Sequence, residues 1–367
     1  MDFRLTDEQE MLRDGARRFV ADKLDYASRG KRIASGEDCW GDFADMGWLM
    51  LAVPESAGGL ERPLEDIAII AEELGRGIAR EPFIFSGFLP ARLMALAGTA
   101  NSPLEELVGG AQRFAAALYE TAHRYSLAGL ATVSSKQPDG SYLLNGSKTL
   151  VLGGVEADYL IVAARSEGDT APALFIVDAN VAGVERRNYR TIDEANACDV
   201  RFKGVQLPAD AILADTAVAT SILDRALDEA TVLLCADALG CMDRAIELTA
   251  EYLRIRKQFG QALSNFQSLQ HGVANLFVEA NDARSMVYRA LAACAADDDA
   301  GRPKAVSACK IKVMQAGRFV AGQSVHFHGG IGMTVEYPVG EHLRRMLVAE
   351  QLLGNSQHHF ERYLAGA

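Results

Sequence analysis

The sequence has no paired cysteines. Its six, Cys39, Cys198, Cys235, Cys241, Cys294 and Cys309, show no CxxC pair and no metal-ligand spacing, which argues against a disulfide framework or a zinc module. Free cysteine is mostly interior, so these are expected to be small buried apolar residues. Long apolar runs are also missing. The start, MDFRLTDEQEMLRDGARRF, holds no apolar signal core, and no stretch reaches the roughly 20 residues that a membrane span needs. A soluble, reducing, cytoplasmic setting is the expectation. Positive charge is scarce: 37 Lys and Arg stand against 49 Asp and Glu, a net charge of -12. The one compact basic run, Arg254-Ile255-Arg256-Lys257, is too short to reverse that balance, so nucleic acid and anionic membrane are poor candidates for the main partner.

What is present is ordinary globular composition, 49% hydrophobic and 23% charged in 367 residues, enough for two or three core-forming units. Thr6-Asp7-Glu8-Gln9 has the pattern of a capping box, and Leu12, Ala16, Phe19, Val20 and Leu24 follow at helical spacing. Helical runs such as EDIAIIAEELGRG, with a glycine stop at Gly75 to Gly77, continue to about residue 112. From residue 113 the texture changes. FAAALYE, LAGLATVSS, SYLLNGS, DYLIVAARS, APALFIVD and DVRFKGVQL are short strand-like runs separated by PDG, NG, GG and EGD turn signals, at the spacing of a sandwich. After Pro208-Ala209-Asp210 the pattern becomes helical again, with long runs over about 222–258, 263–296 and 303–325 that suit a bundle. The expected domains are therefore helical (1–112), β (113–215) and a helical bundle (216–367).

Two segments could carry chemistry. Arg256-Lys257-Gln258-Phe259-Gly260 follows the first long helix, and the plain reading is a helix end with Gly260 as the left-handed stop. The functional reading is that the Arg256 guanidinium offers forked donors to an anionic ligand. Gly329-Gly330-Ile331-Gly332 is either a turn that needs positive φ or a place where backbone comes close to a phosphate or an adenine. His326-Phe327-His328 and His358-His359 suggest metal ligands, but no third ligand stands at fixed spacing, and solvated or capping histidines are the better expectation.

In this order and on an α-β-α plan, RKQFGQALSNFQSLQH and HGGIGMTVEYPV resemble the flavin-dependent acyl-CoA dehydrogenases. LNGSKTLVLGG looks like that family's NGxK hairpin and MDFRLTDEQ like its N-terminus. The resemblance covers essentially the whole chain. It implies an α+β fold with an N-terminal helical domain, a middle β-sandwich or barrel and a C-terminal four-helix bundle. It also implies FAD as cofactor, an acyl-CoA substrate oxidised to the 2-enoyl-CoA, and electron-transfer flavoprotein as acceptor. By the same resemblance Arg256, Phe259, Gln267, Gly329, Gly330 and Gly332 reach the FAD of a neighbouring subunit.

The likeness fails where the chemistry should be. The family's catalytic glutamate falls at Leu353 or, in isovaleryl-type members, at Ala230, 26 residues before Arg256. Glu229 is the preceding residue, roughly 100° around the helix from position 230, and Glu350 lies one turn before Leu353. The family's Thr-Glu-Pro-Gly-x-Gly-Ser-Asp loop appears as Tyr119 to Ser126 with only Glu120 in place, and its Trp-x-Thr as Leu150-Val151-Leu152. His326 stands where many members have glutamine. This pattern resembles the small subunits of pimeloyl-CoA dehydrogenase and of the α2β2 enzymes that shorten steroid side chains. The implied partner is a paralogous subunit that carries the glutamate, with no catalytic residue in this chain. Two alternatives are a homotetramer with a displaced base, Glu350 or Glu229, and a structural or regulatory member without flavin.

Overall fold

The structure is a computed structural model and describes residues 4–98, 102–296 and 300–365. The first three residues of the MDFRLTDEQ likeness lie outside the described set. The chain divides into two compact units. One takes the chain up to Glu37, Leu64–Ala79 and everything from Thr231 onward; the other takes Asp38–Pro63 and Arg80–Ala230.

The first unit is helical. It contains α1 (Asp7–Lys23) and α2 (Tyr26–Ser35). The capping box on α1 is present in both directions, with Gln9 N donating to Thr6 Oγ1 at 3.2 Å and Thr6 N to Gln9 Oε1 at 3.1 Å. Such a cap is worth about 1 kcal/mol. After α3 (Trp40–Asp45) in the other unit, the chain returns as α4 (Leu64–Arg76). Here the expected glycine stop is corrected. Gly75 lies inside the helix, and the left-handed residue that ends it is Ile78 at φ 51°. Ala79 N donates to Leu74 O (3.0 Å) and Ile78 N to Gly75 O (3.1 Å), the paired bonds of a Schellman motif.

The glycines serve packing instead. A Cβ on Gly75 would lie 2.0 Å from Asp237 O, and one on Gly77 would lie 2.6 Å from Val20 Cγ1. Reciprocally, a Cβ on Gly240 would lie 1.7 Å from Glu72 O. Asp237 and Gly240 belong to the long helix that follows the sheet, so α4 crosses it backbone to backbone.

The second unit holds α5 (Leu89–Leu96), α6 (Ser102–Val108), a π-helical turn at Phe83–Phe88 and one sheet of eight strands. These are β1 (Phe114–Ala117), β2 (Val133–Lys136), β3 (Tyr142–Leu152), β4 (Tyr159–Ser166), β5 (Pro172–Asp178), β6 (Val184–Arg190), β7 (Asn196–Leu207) and β8 (Ile212–Ala214). The order is β6-β7-β3-β2-β4-β5-β8, with β1 also beside β4. It is open and does not close into a barrel. Its core is built from Leu144, Leu160, Val162, Phe175, Val177, Val200 and Phe202. The strand texture of the sequence does not single out β6, because VERRNYR is an arginine-rich edge strand. Asn145-Gly146 is not a turn either. It is a bulge within β3, at a register shift against β7, and a Cβ on Gly146 would meet Thr132 Cα at 2.5 Å. The hairpin turn between β2 and β3 is at Asp139-Gly140, where Gly140 has φ 89°.

α7 (Ala219–Ile255) runs through the division between the units and is followed by a short hairpin, β9 (Lys257–Gln258) and β10 (Gln261–Ala262). α8 (Gln267–Ala295), α9 (Arg302–His328), α10 (Val339–Gln351) and α11 (Ser356–Ala365) complete the helical unit. Among the described residues no helix is long and apolar enough to cross a membrane. All six cysteines are free and buried, as their spacing suggests.

Candidate functional site

Gly260 is not the stop of α7. The helix ends at Ile255, and Phe259 (φ 53°) and Gly260 (φ 79°) are the two central residues of the β9–β10 hairpin. Two successive positive φ values make this a type I′ turn, which suits asparagine and glycine and puts an aromatic residue under strain. Phe259 is 89% exposed, with an edge-on contact to Phe266 at 6.1 Å. Arg256 and Gln267, the first residue of α8, are exposed. The Arg256 carbonyl accepts from Leu263 N at 2.9 Å, so the guanidinium stem starts from a fixed backbone.

The three glycines after α9 have three different reasons to be glycine. Gly329 caps the helix at φ 65°, ψ -142°, a conformation closed to side chains. Gly332 is buried, and a Cβ there would lie 2.8 Å from Val325 O. Gly330 has ordinary φ, and both it and Gly329 have open space where a Cβ would be. Positive φ, the reason offered by sequence, therefore holds for Gly329 alone.

The hairpin and the glycine turn are physically joined. Tyr252, whose carbonyl accepts from Arg256 N at 2.8 Å, stacks on His328 at 4.5 Å between centroids. On α8, Gly272 leaves room for the Phe327 ring, which a Cβ would meet at 2.4 Å. Arg256, Phe259, Gln267 and Gly329 to Gly332 thus belong to one structural neighbourhood of the helical unit. Exposed Ile255, Met333 and Val335 add apolar surface to the same segments. Tyr252 carries no motif, and Phe327 stands only between the two histidines of His326-Phe327-His328, so neither packing role has a signal in the sequence.

The two positions at which the resemblance expects the base are closed. Leu353 is buried in a left-handed conformation, φ 56°, and Gly354 follows at φ 101°. The buried Lys310 ammonium donates to Ala349 O (2.5 Å) and Leu352 O (2.9 Å), and His359 Nε2 donates to Leu353 O at 3.0 Å. Burial lowers the Lys310 pKa to about 8. Glu350 accepts from Ser356 N (2.9 Å) and Ser356 Oγ (3.1 Å), which fixes the start of α11. Ala230 is fully buried. Its neighbour Glu229 is also buried and receives Arg92 at 2.7 and 3.1 Å and Arg225 at 2.5 Å.

The β unit shows the same self-sufficiency. Glu120 accepts from Ala131 N (2.7 Å), Thr132 N (2.9 Å) and Lys148 Nζ (2.9 Å). Burial pushes its carboxyl up, but the bonds from Thr132 and Lys148 outweigh that and hold it at about 2. Lys148, the lysine of the NGxK segment, is fully buried and also donates to Leu118 O at 3.0 Å. Arg124 is left-handed at φ 48°, and Tyr125 packs edge-on against Tyr119. Leu150, which the resemblance sets against the family's tryptophan, has φ 53°, and its N–H donates to Asp199 Oδ1 at 3.2 Å. The same oxygen accepts from the Thr149 and Tyr189 hydroxyls at 2.8 and 3.0 Å.

The histidine expectation needs a partial correction. His326 is exposed, whereas His328 and His359 are buried. His328 Nδ1 lies 2.7 Å from Ser324 O, and His359 Nδ1 lies 3.2 Å from Ser307 Oγ. Among the described residues no group of three His, Cys, Asp or Glu could hold a metal ion.

Three family models match the chain: acyl-CoA dehydrogenase N-terminal domain over residues 6–101, middle domain over 115–205 and C-terminal domain over 220–366. Among curated relatives, the acryloyl-CoA reductase (NADH) of Anaerotignum propionicum is 28% identical over 98% of this chain and 94% of its own length. The short-chain-specific acyl-CoA dehydrogenase of Megasphaera elsdenii is 30% identical over 69% of this chain and 67% of its own length. Among solved structures, the Tcur3481-Tcur3483 steroid ACAD is similar at TM-score 0.86 and 28% identity, covering 98% of this chain and 97% of that one. With helical, β and helical segments matched in order along nearly its whole length, the chain belongs to the acyl-CoA dehydrogenase family, whose members depend on FAD.

Proposed function

We propose that this chain is the non-catalytic subunit of a heteromeric, FAD-dependent acyl-CoA dehydrogenase. The observation that carries this reading is the contrast between two sets of groups. Residues at the family's own-site positions are closed on one another: Leu353 in its bonded turn, Glu120 on Lys148, Leu150 and Thr149 on Asp199. The residues that would serve a neighbour's flavin are open instead. Phe259, Arg256 and Gln267 are exposed, and Gly329 and Gly330 have free space around them.

That contrast also tests the fit to FAD. A free guanidinium, exposed glycine backbone and an exposed aromatic ring suit an anionic dinucleotide with a planar base. The fit of a flavin ring to this chain's own-site segment is poorer, because the Leu150 N–H and the Thr149 hydroxyl already bond Asp199. When bound, FAD accepts hydride from the substrate β-carbon. In this reading a glutamate of a paralogous partner removes the α-proton. Arg256 here holds the phosphates, Phe259 packs against the dinucleotide, and Gly329 and Gly330 admit its close approach. Acyl-CoA binds mainly through the partner, electron-transfer flavoprotein is the acceptor, and the assembly is α2β2. The Tcur3481-Tcur3483 steroid ACAD, which carries two names, supports a paired arrangement and a steroid-type substrate.

The displaced-base alternative asks Glu350 or Glu229 to leave hydrogen bonds that hold a helix start or two arginines. Glutamine at each position is expected to leave turnover of the assembled enzyme intact. The decisive experiment is expression of this chain alone and with its partner, with flavin and activity measured in each. A flavin-loaded, active homo-oligomer from this chain alone would sink the proposal.

A further inference from the structure

We propose that His328 is a positioning residue for the Gly329 to Gly332 turn, setting the surface that this chain offers to an FAD phosphate or adenine. The inference rests on the reading that this turn serves a partner's flavin.

Its basis is how completely the ring is fixed and how little it does for itself. Ser324 O can only accept, so the neutral ring carries its proton on Nδ1 and donates at 2.7 Å. Tyr252 stacks on it at 4.5 Å and 28°, and Tyr337 approaches at 4.8 Å and 45°. Nε2 is buried and makes no hydrogen bond of normal geometry, with the Leu248 carbonyl beside the ring. A ring nitrogen buried without a well-formed bond has a cost. The benefit lies in the backbone that follows. A Cβ on Gly332 would come within 3.0 Å of His328 Cβ, so the far side of the turn packs on the base of the side chain whose direction the stacked ring fixes. The near side, Gly329 and Gly330, faces open space.

The same ring reaches the other motif. Tyr252 O accepts from Arg256 N, so the stack that fixes the turn also fixes the helix end from which Arg256 departs. One imidazole between two tyrosines therefore sets the separation of two ligand-facing segments that are far apart in sequence. A gap of 1 Å there would misplace both.

The test uses the complex recovered from its native host through a tag on this chain, with FAD affinity read by flavin fluorescence. His328→Ala is expected to weaken FAD by about tenfold, the scale typical of residues that orient a ligand-holding group. His328→Phe, which keeps the stack, is expected to recover most of that loss and also serves if the alanine variant does not assemble. Wild-type affinity in His328→Ala, or no recovery in His328→Phe, would overturn the inference. Arg256→Ala separates the failures: if it weakens FAD while His328→Ala does not, only the positioning role falls. If neither variant weakens FAD, the cross-subunit reading falls with it. Nitrogen-15 shifts of His328 give a readout independent of flavin, and a proton on Nε2 would contradict the geometry.

Discussion

The Lys310 ammonium donates to the Leu352 carbonyl at 2.9 Å from a fully buried position. With Ala349 O as its second acceptor, it caps the C-terminus of α10 from inside the core. Lys310→Met removes the donor and leaves two buried carbonyls, so a loss of about 2 to 4 kcal/mol is expected in urea unfolding. The pH signature follows from the sign of the shift. Its folded pKa, about 8, lies below the ordinary 10.5. The unfolded chain therefore binds more protons between those values. Wild-type stability should rise as pH goes from 8 to 10.5, and the methionine variant should lack that rise.

Acid should act through two other buried bases. Burial, then nearby arginines led by Arg244, lowers His342 to about 3; burial, then Lys310, lowers His359 to about 3. The unfolded chain takes up these protons below the ordinary 6.5 while the folded chain resists them to about 3. Stability should fall as pH drops through that window, by about 2 kcal/mol per histidine at pH 5. Thermal melts from pH 7 to pH 5 measure this, and a flat profile would contradict the burial of both rings.

The helix crossing predicts a steric cost. Gly75→Ala and Gly240→Ala each place a methyl group against a carbonyl of the facing helix, at 2.0 and 1.7 Å before any adjustment. Each should destabilise by about 1 to 3 kcal/mol despite alanine's better helix propensity. Gly330→Ala, where the space is open, should be close to neutral in the same denaturation assay.

Glu120 and Lys148 form a buried pair at 2.9 Å. Glu120→Gln strands the lysine charge and should cost about 3 to 5 kcal/mol, whereas adding Lys148→Met should return much of that loss. Since the Glu120 carboxyl is held at about 2 against an ordinary 4.5, its contribution is present above 4.5 and lost as pH falls toward 2. Additive single and double variants in a denaturation cycle would show that the pair is not coupled.

What was legible in the sequence was what the chain decides locally. The Thr6 and Gln9 capping box needs only four consecutive residues, and the long helices show themselves by period. Local rules fail at Gly260, where a short hairpin follows the helix end, and wherever a glycine answers to a distant segment. Gly75 faces Asp237, and Gly146 faces Thr132 across the sheet; neither neighbour is visible from local turn rules. Likewise, nothing near His359 in sequence announces that Leu353 O and Ser307 will satisfy it. At the site, Arg256, Phe259, Gln267 and the three glycines were readable as motifs, whereas the Tyr252, His328 and Tyr337 stack that joins them depends on the fold.

Phe259 holds a backbone conformation that costs a side chain of its kind about 1 kcal/mol or more, and its ring lies almost wholly in water. On this chain's own stability, asparagine would be the better residue at the tip of that hairpin. A mutational scan scored on folding alone would therefore rank Phe259 among the residues to discard. Scored on an assembled enzyme, the same scan would rank it among those to keep, and the gap between the two rankings measures how far the chain's fitness is set outside its own fold.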